Sequence, residues 1–230
     1  MHQIRATHLE KYRECPYSYW FEPEREWGNI NFKFGTALHK YIETALQGCL
    51  TEDAQDILLK PRPVKYRNMI LAMCNIFLQN VKDRELTYIL SEVELERVYE
   101  EEKIILTWTP DLIFKDKEWK YIMVDIKTAK SKRTEEHAEW VKQKRIYPVL
   151  IKHQYWIEMD SFEYWPMTKT SSPKLMEYKF PVPDDVEEQV HNKVKELRES
   201  IDTGSFPPNM PNYTCRWCPL KWECKNYKNF

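Results

Sequence analysis

The chain has 230 residues, 42% apolar and 31% charged, an ordinary balance for one sizeable domain with its own core. A net charge of −1 excludes a general polyanion binder, so any nucleic-acid contact must come from a local basic patch. No apolar run approaches the ~20 residues of a membrane span, and the opening MHQIRATHLEKYREC is too polar for a secretory signal, so the expected setting is cytoplasmic.

Read in chain order, THLEKYRE has Thr7 followed three residues later by Glu10, which predicts a capping box and a first helix ended by Cys15-Pro16. GTALHKYIETALQG predicts a second helix, with Leu38, Tyr41, Ile42, Ala45 and Leu46 on one stripe and Gly48 as the stop. A third spans VKYRNMILAMCNIFLQNVKDREL, with Tyr66, Met69, Ile70, Met73, Phe77 and Val81 on one face. Period-two or apolar runs then predict strands in YILSEVELERVYEE, KIILTWTPDLIFKD and WKYIMVDIKTAK. A helical stretch over residues 135–158 contains Pro148 as an expected interruption. One or two short strands follow, and then a helix with Val186, Val190, Val194, Leu197 and Ile201 at helical spacing. Helices, strands and helices in that order predict an α/β or α+β domain with a mixed central sheet.

None of the four glycines (Gly28, Gly35, Gly48, Gly204) fits either common glycine-rich phosphate loop, which argues against nucleotide chemistry of those two kinds. The chemistry concentrates in TPDLIFKDKEWKYIMVDIKTAK. Asp125 and Lys127 lie two apart on a predicted strand and so leave the same face. Asp125 follows an apolar run, and a buried carboxylate needs a partner such as a cation. Asp111 precedes a hairpin that can bring it alongside. Two carboxylates and a lysine on one face suit metal-assisted phosphodiester hydrolysis, with Mg²⁺ or Mn²⁺ held by hard oxygen ligands. The tripeptide D-x-K is common, and by itself it more often marks a surface-edge strand with charged flanks than a metal site.

The flanking residues add specificity. Pro110-Asp111 followed by Asp125-Ile126-Lys127 resembles the PD-(D/E)XK nuclease superfamily. His39 in GTALHKYIE, Glu92 (or Glu94) in LSEVELE, and Gln143 with Tyr147 in QKRIY make the chain similar to its RecB-like exonuclease branch. The resemblance implies a restriction-endonuclease-like core. It also implies a metal held by His39, Asp111, Asp125 and the Ile126 carbonyl, with Lys127 acting at the transition state. Glu92 would join the catalytic set, and Gln143 and Tyr147 would position DNA or support the site. One departure is TWTPD, which lacks the glycine usual shortly before the first aspartate. The implied substrate is DNA, as single strands or ends, with a helicase or recombination protein as an expected partner and no membrane role. An endonuclease or end-trimming mode, or a DNA-binding module with a decayed site, are the alternatives.

Between Lys127 and Arg145 seven Lys or Arg face three Glu, and Lys130, Lys132, Arg133, Lys144 and Arg145 are the expected phosphate contacts. Six cysteines in an expected reducing setting read as thiols or metal ligands. Cys215, Cys218 and Cys224 form C-x₂-C-x₅-C, one ligand short of a four-thiolate site; Cys15 in ECPY is the candidate fourth, while Cys74 reads as core and Cys49 has no partner nearby. Spacing alone leaves Zn²⁺ and an iron–sulfur cluster equally open. The RecB-like branch has an iron–sulfur subgroup with one cysteine before the core and three after it, as in CRISPR-adaptation nucleases, and that resemblance implies a [4Fe–4S] cluster joining the two termini. The expected organisation is a single domain over 1–230: an N-terminal segment 1–30, a helical portion and core over 31–202, and a cluster-binding segment 203–230.

Overall fold

A computed structural model describes residues 1–21, 30–59, 62–135, 145–209, 215–216 and 218–226. Strand β1 (His2–Arg5) runs straight into helix α1 (Ala6–Glu14), followed by α2 (Pro16–Phe21), α3 (Ile30–Leu46), α4 (Glu52–Leu59) and α5 (Val64–Asp83). Then come β2 (Thr87–Leu90), β3 (Leu95–Tyr99), β4 (Ile104–Trp108), β5 (Leu112–Lys115) and β6 (Tyr121–Ala129). Helix α6 (Ile146–Tyr155), β7 (Ser161–Thr168), β8 (Tyr178–Pro181) and α7 (Val186–Thr203) complete the order. No described helix is long and apolar enough to cross a membrane.

The strands form two sheets, β1-β4-β3 and β2-β5-β6-β7-β8, with the parallel pairs β1/β4 and β6/β7 among antiparallel ones. This is the mixed α/β architecture expected, with helices on both sides of the larger sheet. Strand β6 explains why. Ile122, Val124 and Ile126 join one core with α3 and α5, whereas Met123, on the alternate face, joins a second core with α1, α6 and α7. A strand buried on both faces reads as a continuous apolar run, and YIMV does.

The two sheets share one long hairpin. Leu95 pairs with Trp108 and Leu90 with Ile113, so β2–β3 and β4–β5 keep a common register across a bend at residues 91–94 and 109–111. Continued through the bend, that register sets Glu92 opposite Asp111. The β5–β6 register (Leu112 with Val124) in turn sets Asp111 opposite Asp125. Asp125 on β6, Asp111 just before β5 and Glu92 just after β2 thus come together at the corner between the sheets.

Three local expectations are corrected. Helix α1 starts at Ala6, before Thr7, with no side-chain cap, because the chain enters it from a strand already paired to β4. Glu10 is buried and lies 3.2 Å from Arg13 rather than closing a capping box. Pro148 does not interrupt α6: it is the third residue of that helix, where the N–H would lack an intrahelical partner anyway.

A buried ion pair ties α5 to the sheet. Arg84, at the end of α5, donates to both oxygens of Glu163 at 2.6 and 2.8 Å and to Glu177 at 2.6 Å. Glu163, 1% exposed on β7, also accepts from the Trp165 indole at 2.9 Å. Glu163→Gln is expected to lower unfolding free energy by about 2–3 kcal/mol, below the fully buried range because Arg84 retains solvent contact. Denaturant titration against wild type measures it.

Candidate active site at the corner between the sheets

Strand β5 begins at Leu112, so on the β5 side the ladder of β6 lacks a backbone partner at Ile126. The Asp111 carboxylate fills that gap, with Oδ2 accepting the Ile126 N–H at 2.8 Å. On the same face of β6 the Lys127 ammonium donates to Asp125 Oδ1 at 2.6 Å and lies 3.7 Å from Asp111 Oδ2. Asp125 is 3% exposed, and its second oxygen is buried with no hydrogen-bond partner among the described residues. Burial, with the charge of Asp111 added, pushes the Asp125 carboxyl up to about 6 against the pull of Lys127. Burial works against the charge of Lys127 as well, but Asp125 and Asp111 outweigh it and hold its pKa above the usual lysine range.

His39 arrives from α3 on the other side of the sheet. Its Nε2 lies 3.1 Å from the Ile126 carbonyl, an acceptor only, so Nε2 carries the hydrogen. Nδ1 then faces Asp111 Oδ1 at 3.6 Å and Glu92 Oε1 at 3.7 Å. Burial disfavours the charged ring, but Asp111 and Glu92 outweigh it and raise the pKa above the ordinary histidine value. In the neutral ring the Nδ1 lone pair points at two carboxylates, an arrangement that suits a shared cation. Among the described residues, His39, Glu92 and Asp111 are the group whose ligand atoms lie within 4.8 Å of one another, and it could hold a metal ion.

Glu92 is not on a strand. It sits in the hairpin bend with φ of 50°, a left-handed conformation that costs a non-glycine residue about 1–2 kcal/mol. Its N–H donates to the Pro110 carbonyl at 2.9 Å, which pins the bend. Glu94 lies in the same loop, exposed and outside this group.

Tyr147 is 1% exposed on α6 and stacks on Trp108, three residues before Asp111. Burial and then the charges of Asp125 and Asp111 raise its hydroxyl pKa, so it stands in the field of the two carboxylates, behind them rather than at the surface. Lys130, Lys132 and Arg133 are exposed on the segment leaving β6, where the Tyr178 hydroxyl donates to the Arg133 carbonyl. Arg145 precedes α6, half-buried, and Gln143 and Lys144 lie outside the described residues.

Cys15 caps the end of α1 and is half-buried, as are Cys215, Cys218 and Cys224. Among the described residues, the segments that carry them meet. Asn226 donates to the Pro208 and Asn209 carbonyls, and Asn209 donates to the Arg13 and Glu14 carbonyls beside Cys15. Cys74 is core, and burial pushes its thiol up to about 12; Cys49 is exposed.

A family model supports the chemistry of this corner: that of the PD-(D/E)XK nuclease superfamily matches residues 3–225. The chain belongs to this superfamily. Nucleases of the superfamily use divalent metals, which accords with a corner built from carboxylates, an imidazole and a lysine. No curated protein matches the sequence. Among solved structures, the crystal structure of SSO0001 is similar at 17% identity and a TM-score of 0.46, over 97% of this chain and 85% of that one. A candidate exonuclease from Eubacterium rectale is similar at 10% identity and a TM-score of 0.48, over 87% of this chain and 82% of that one.

Sequence reading did not find two contributors. Trp108 escaped notice because only α6 packing against β4 brings it to Tyr147. The strain at Glu92 escaped because no glycine or asparagine marks the bend. Glu92→Gly is expected to leave stability within about 1 kcal/mol of wild type, since relief of the left-handed strain offsets glycine's entropy. The same variant should bind Mn²⁺ more than about tenfold less tightly, using the scale set by loss of a residue that supports a metal site. Chemical denaturation and titration calorimetry separate the two effects.

Proposed function

We propose that this nuclease is a metal-dependent DNA exonuclease of the RecB-like branch, acting on single strands or DNA ends in recombination, repair or DNA processing. The observation that carries the reading is the buried Asp125 oxygen that, among the described residues, has no hydrogen-bond partner, beside the His39, Glu92 and Asp111 group. A buried anionic acceptor of this kind is costly unless a cation satisfies it. Asp111, Asp125 and His39, with the Ile126 carbonyl, would hold Mg²⁺ or Mn²⁺, a fit for hard oxygen donors plus one imidazole. When bound, the ion supplies Lewis-acid polarisation of the phosphoryl group and a more acidic water.

The protein's own groups do the rest. Lys127, anchored by Asp125 but with its side chain 42% exposed, can reach a phosphoryl oxygen or orient the attacking water. Glu92, with its side chain 39% exposed, adds a carboxylate at the solvent side. Tyr147 stacked on Trp108 stiffens the β4 arm that carries Asp111, and Gln143 belongs to the same assignment. The exposed Lys130, Lys132 and Arg133 lead away from β6 and, with Lys144 and Arg145, fit a strand's phosphates. The whole chain then works as one nuclease unit.

The same reading gives Cys15, Cys215, Cys218 and Cys224 a [4Fe–4S] cluster, with Zn²⁺ as the other occupant of such a set. Four thiols on two segments joined through Asn209 and Asn226 would then form a clasp between segments near the two ends of the sequence. Cys15→Ser is expected to bleach the brown colour of anaerobically purified protein and lower its melting temperature. A colourless wild type with one zinc per chain would replace the cluster with zinc.

The test of activity uses purified protein, Mn²⁺ and end-labelled DNA, linear and circular, single- and double-stranded. Wild type should degrade linear DNA and leave circles intact, and Asp125→Ala and Lys127→Ala should each lose at least about 100-fold of the rate. Full activity in those variants would refute the site, and cleavage of circles would convert the reading to an endonuclease.

A further inference from the structure

Strand β7 lies parallel to β6, with Pro166 beside Lys127 and Thr168 beside Ala129. The next residue, Lys169, donates its backbone N–H to the Ala129 carbonyl at 2.7 Å. Lys169 and Lys130 are therefore set side by side, about 10 Å beyond Lys127 along the sheet by strand rise and, by alternation, on the α3 face from which His39 reaches the site. The segment that follows, KTSSPK, folds into a closed loop. Thr168 N–H donates to the Lys174 carbonyl at 3.0 Å, Lys174 N–H to the Thr168 hydroxyl at 2.9 Å, and the Thr170 hydroxyl to the Ser172 carbonyl at 2.8 Å. Thr170, Ser171, Ser172 and Lys174 are exposed, and the Lys169 ammonium lies 5.8 Å from the Phe34 ring centre.

We propose that the loop 169–174, together with Lys130, is a phosphate-binding rail that holds the substrate strand at a position flanking the scissile phosphate. This rests on the nuclease reading above and deepens it by naming a contact on a strand that carries none of the superfamily's signature residues. Three features support it. Backbone pairing sets Lys169 next to Lys130, a local concentration of positive charge that attracts a polyanion. Burial, and then the charge of Lys130, lower the Lys169 pKa, a mark of that crowding. The loop is already ordered by its own hydrogen bonds, so little conformational entropy is lost on binding. Hydroxyls and lysines on one ordered loop match phosphate oxygens better than base edges, so the contact reads no sequence.

The experiment measures binding of fluorescent oligothymidylate by anisotropy in chelator, where no cleavage occurs, across a salt series. Cleavage by each variant is measured separately with Mn²⁺. Lys169→Gln and Lys130→Gln should each reduce the slope of log affinity against log salt by about one. Lys169→Arg should restore it, and Lys117→Gln, in the turn at the other end of the sheet, should leave it unchanged. Unchanged slopes for Lys169→Gln and Lys130→Gln, in a wild type that cuts DNA, would overturn the rail and leave the nuclease reading intact. A wild type that neither binds nor cuts DNA would overturn both. A melting curve for each variant separates lost contact from lost fold, and a Lys169→Arg protein that melts normally yet fails to restore the slope also counts against the rail.

Discussion

Strand β6 has to bury apolar side chains on both faces and still carry a carboxylate at Asp125. That demand organises everything around it. Apolar residues at alternate positions recruit α3 and α5 to one side and α1, α6 and α7 to the other, so water is excluded from the strand at Asp125. A charge placed there must be matched, and Lys127 matches only part of it, while the nearby charge of Asp111 works against it. The remaining oxygen keeps the polarity that a cation would satisfy.

The corner between the sheets is where this cost becomes useful. A single long hairpin leaves one sheet and enters the other, and its bend interrupts two ladders at the same level. Interrupted ladders leave backbone groups to satisfy, and groups at the bend do so: the Asp111 side chain accepts the Ile126 N–H, and the Pro110 carbonyl accepts the Glu92 N–H. The same residues face His39. Strain at Glu92 is held by this hairpin geometry and by nothing local in its sequence.

Much of the framework was legible in the residues. The stripes of α5 and α7 bury as their spacing predicts, because long amphipathic helices carry redundant signals. Asp111, Asp125 and Lys127 could be grouped because a short hairpin separates them, leaving few ways to place them. β1, α2 and α4 are too short to show a period, and β1 exists only through its partner β4. Thr7 shows the same limit, since its capping pattern lost to a strand that fixed where α1 begins. His39 matched a motif, but its contact with the Ile126 carbonyl depends on α3 crossing the sheet. Lys169 was invisible, being one lysine in a polar loop until the β6–β7 register set it beside Lys130.

By itself, then, the sequence determined the layering, the apolar faces and the chemical types available: carboxylates, an imidazole, lysines and four spaced cysteines. These follow from local spacing, which each segment carries within itself. Tertiary structure alone decided which carboxylate faces which, that Glu92 rather than Glu94 meets His39, and that Asn209 and Asn226 bring the cysteine-bearing ends together. Those choices depend on strand register and on where two ladders break. A shift of one residue would turn each side chain to the other face, and no local pattern records that choice.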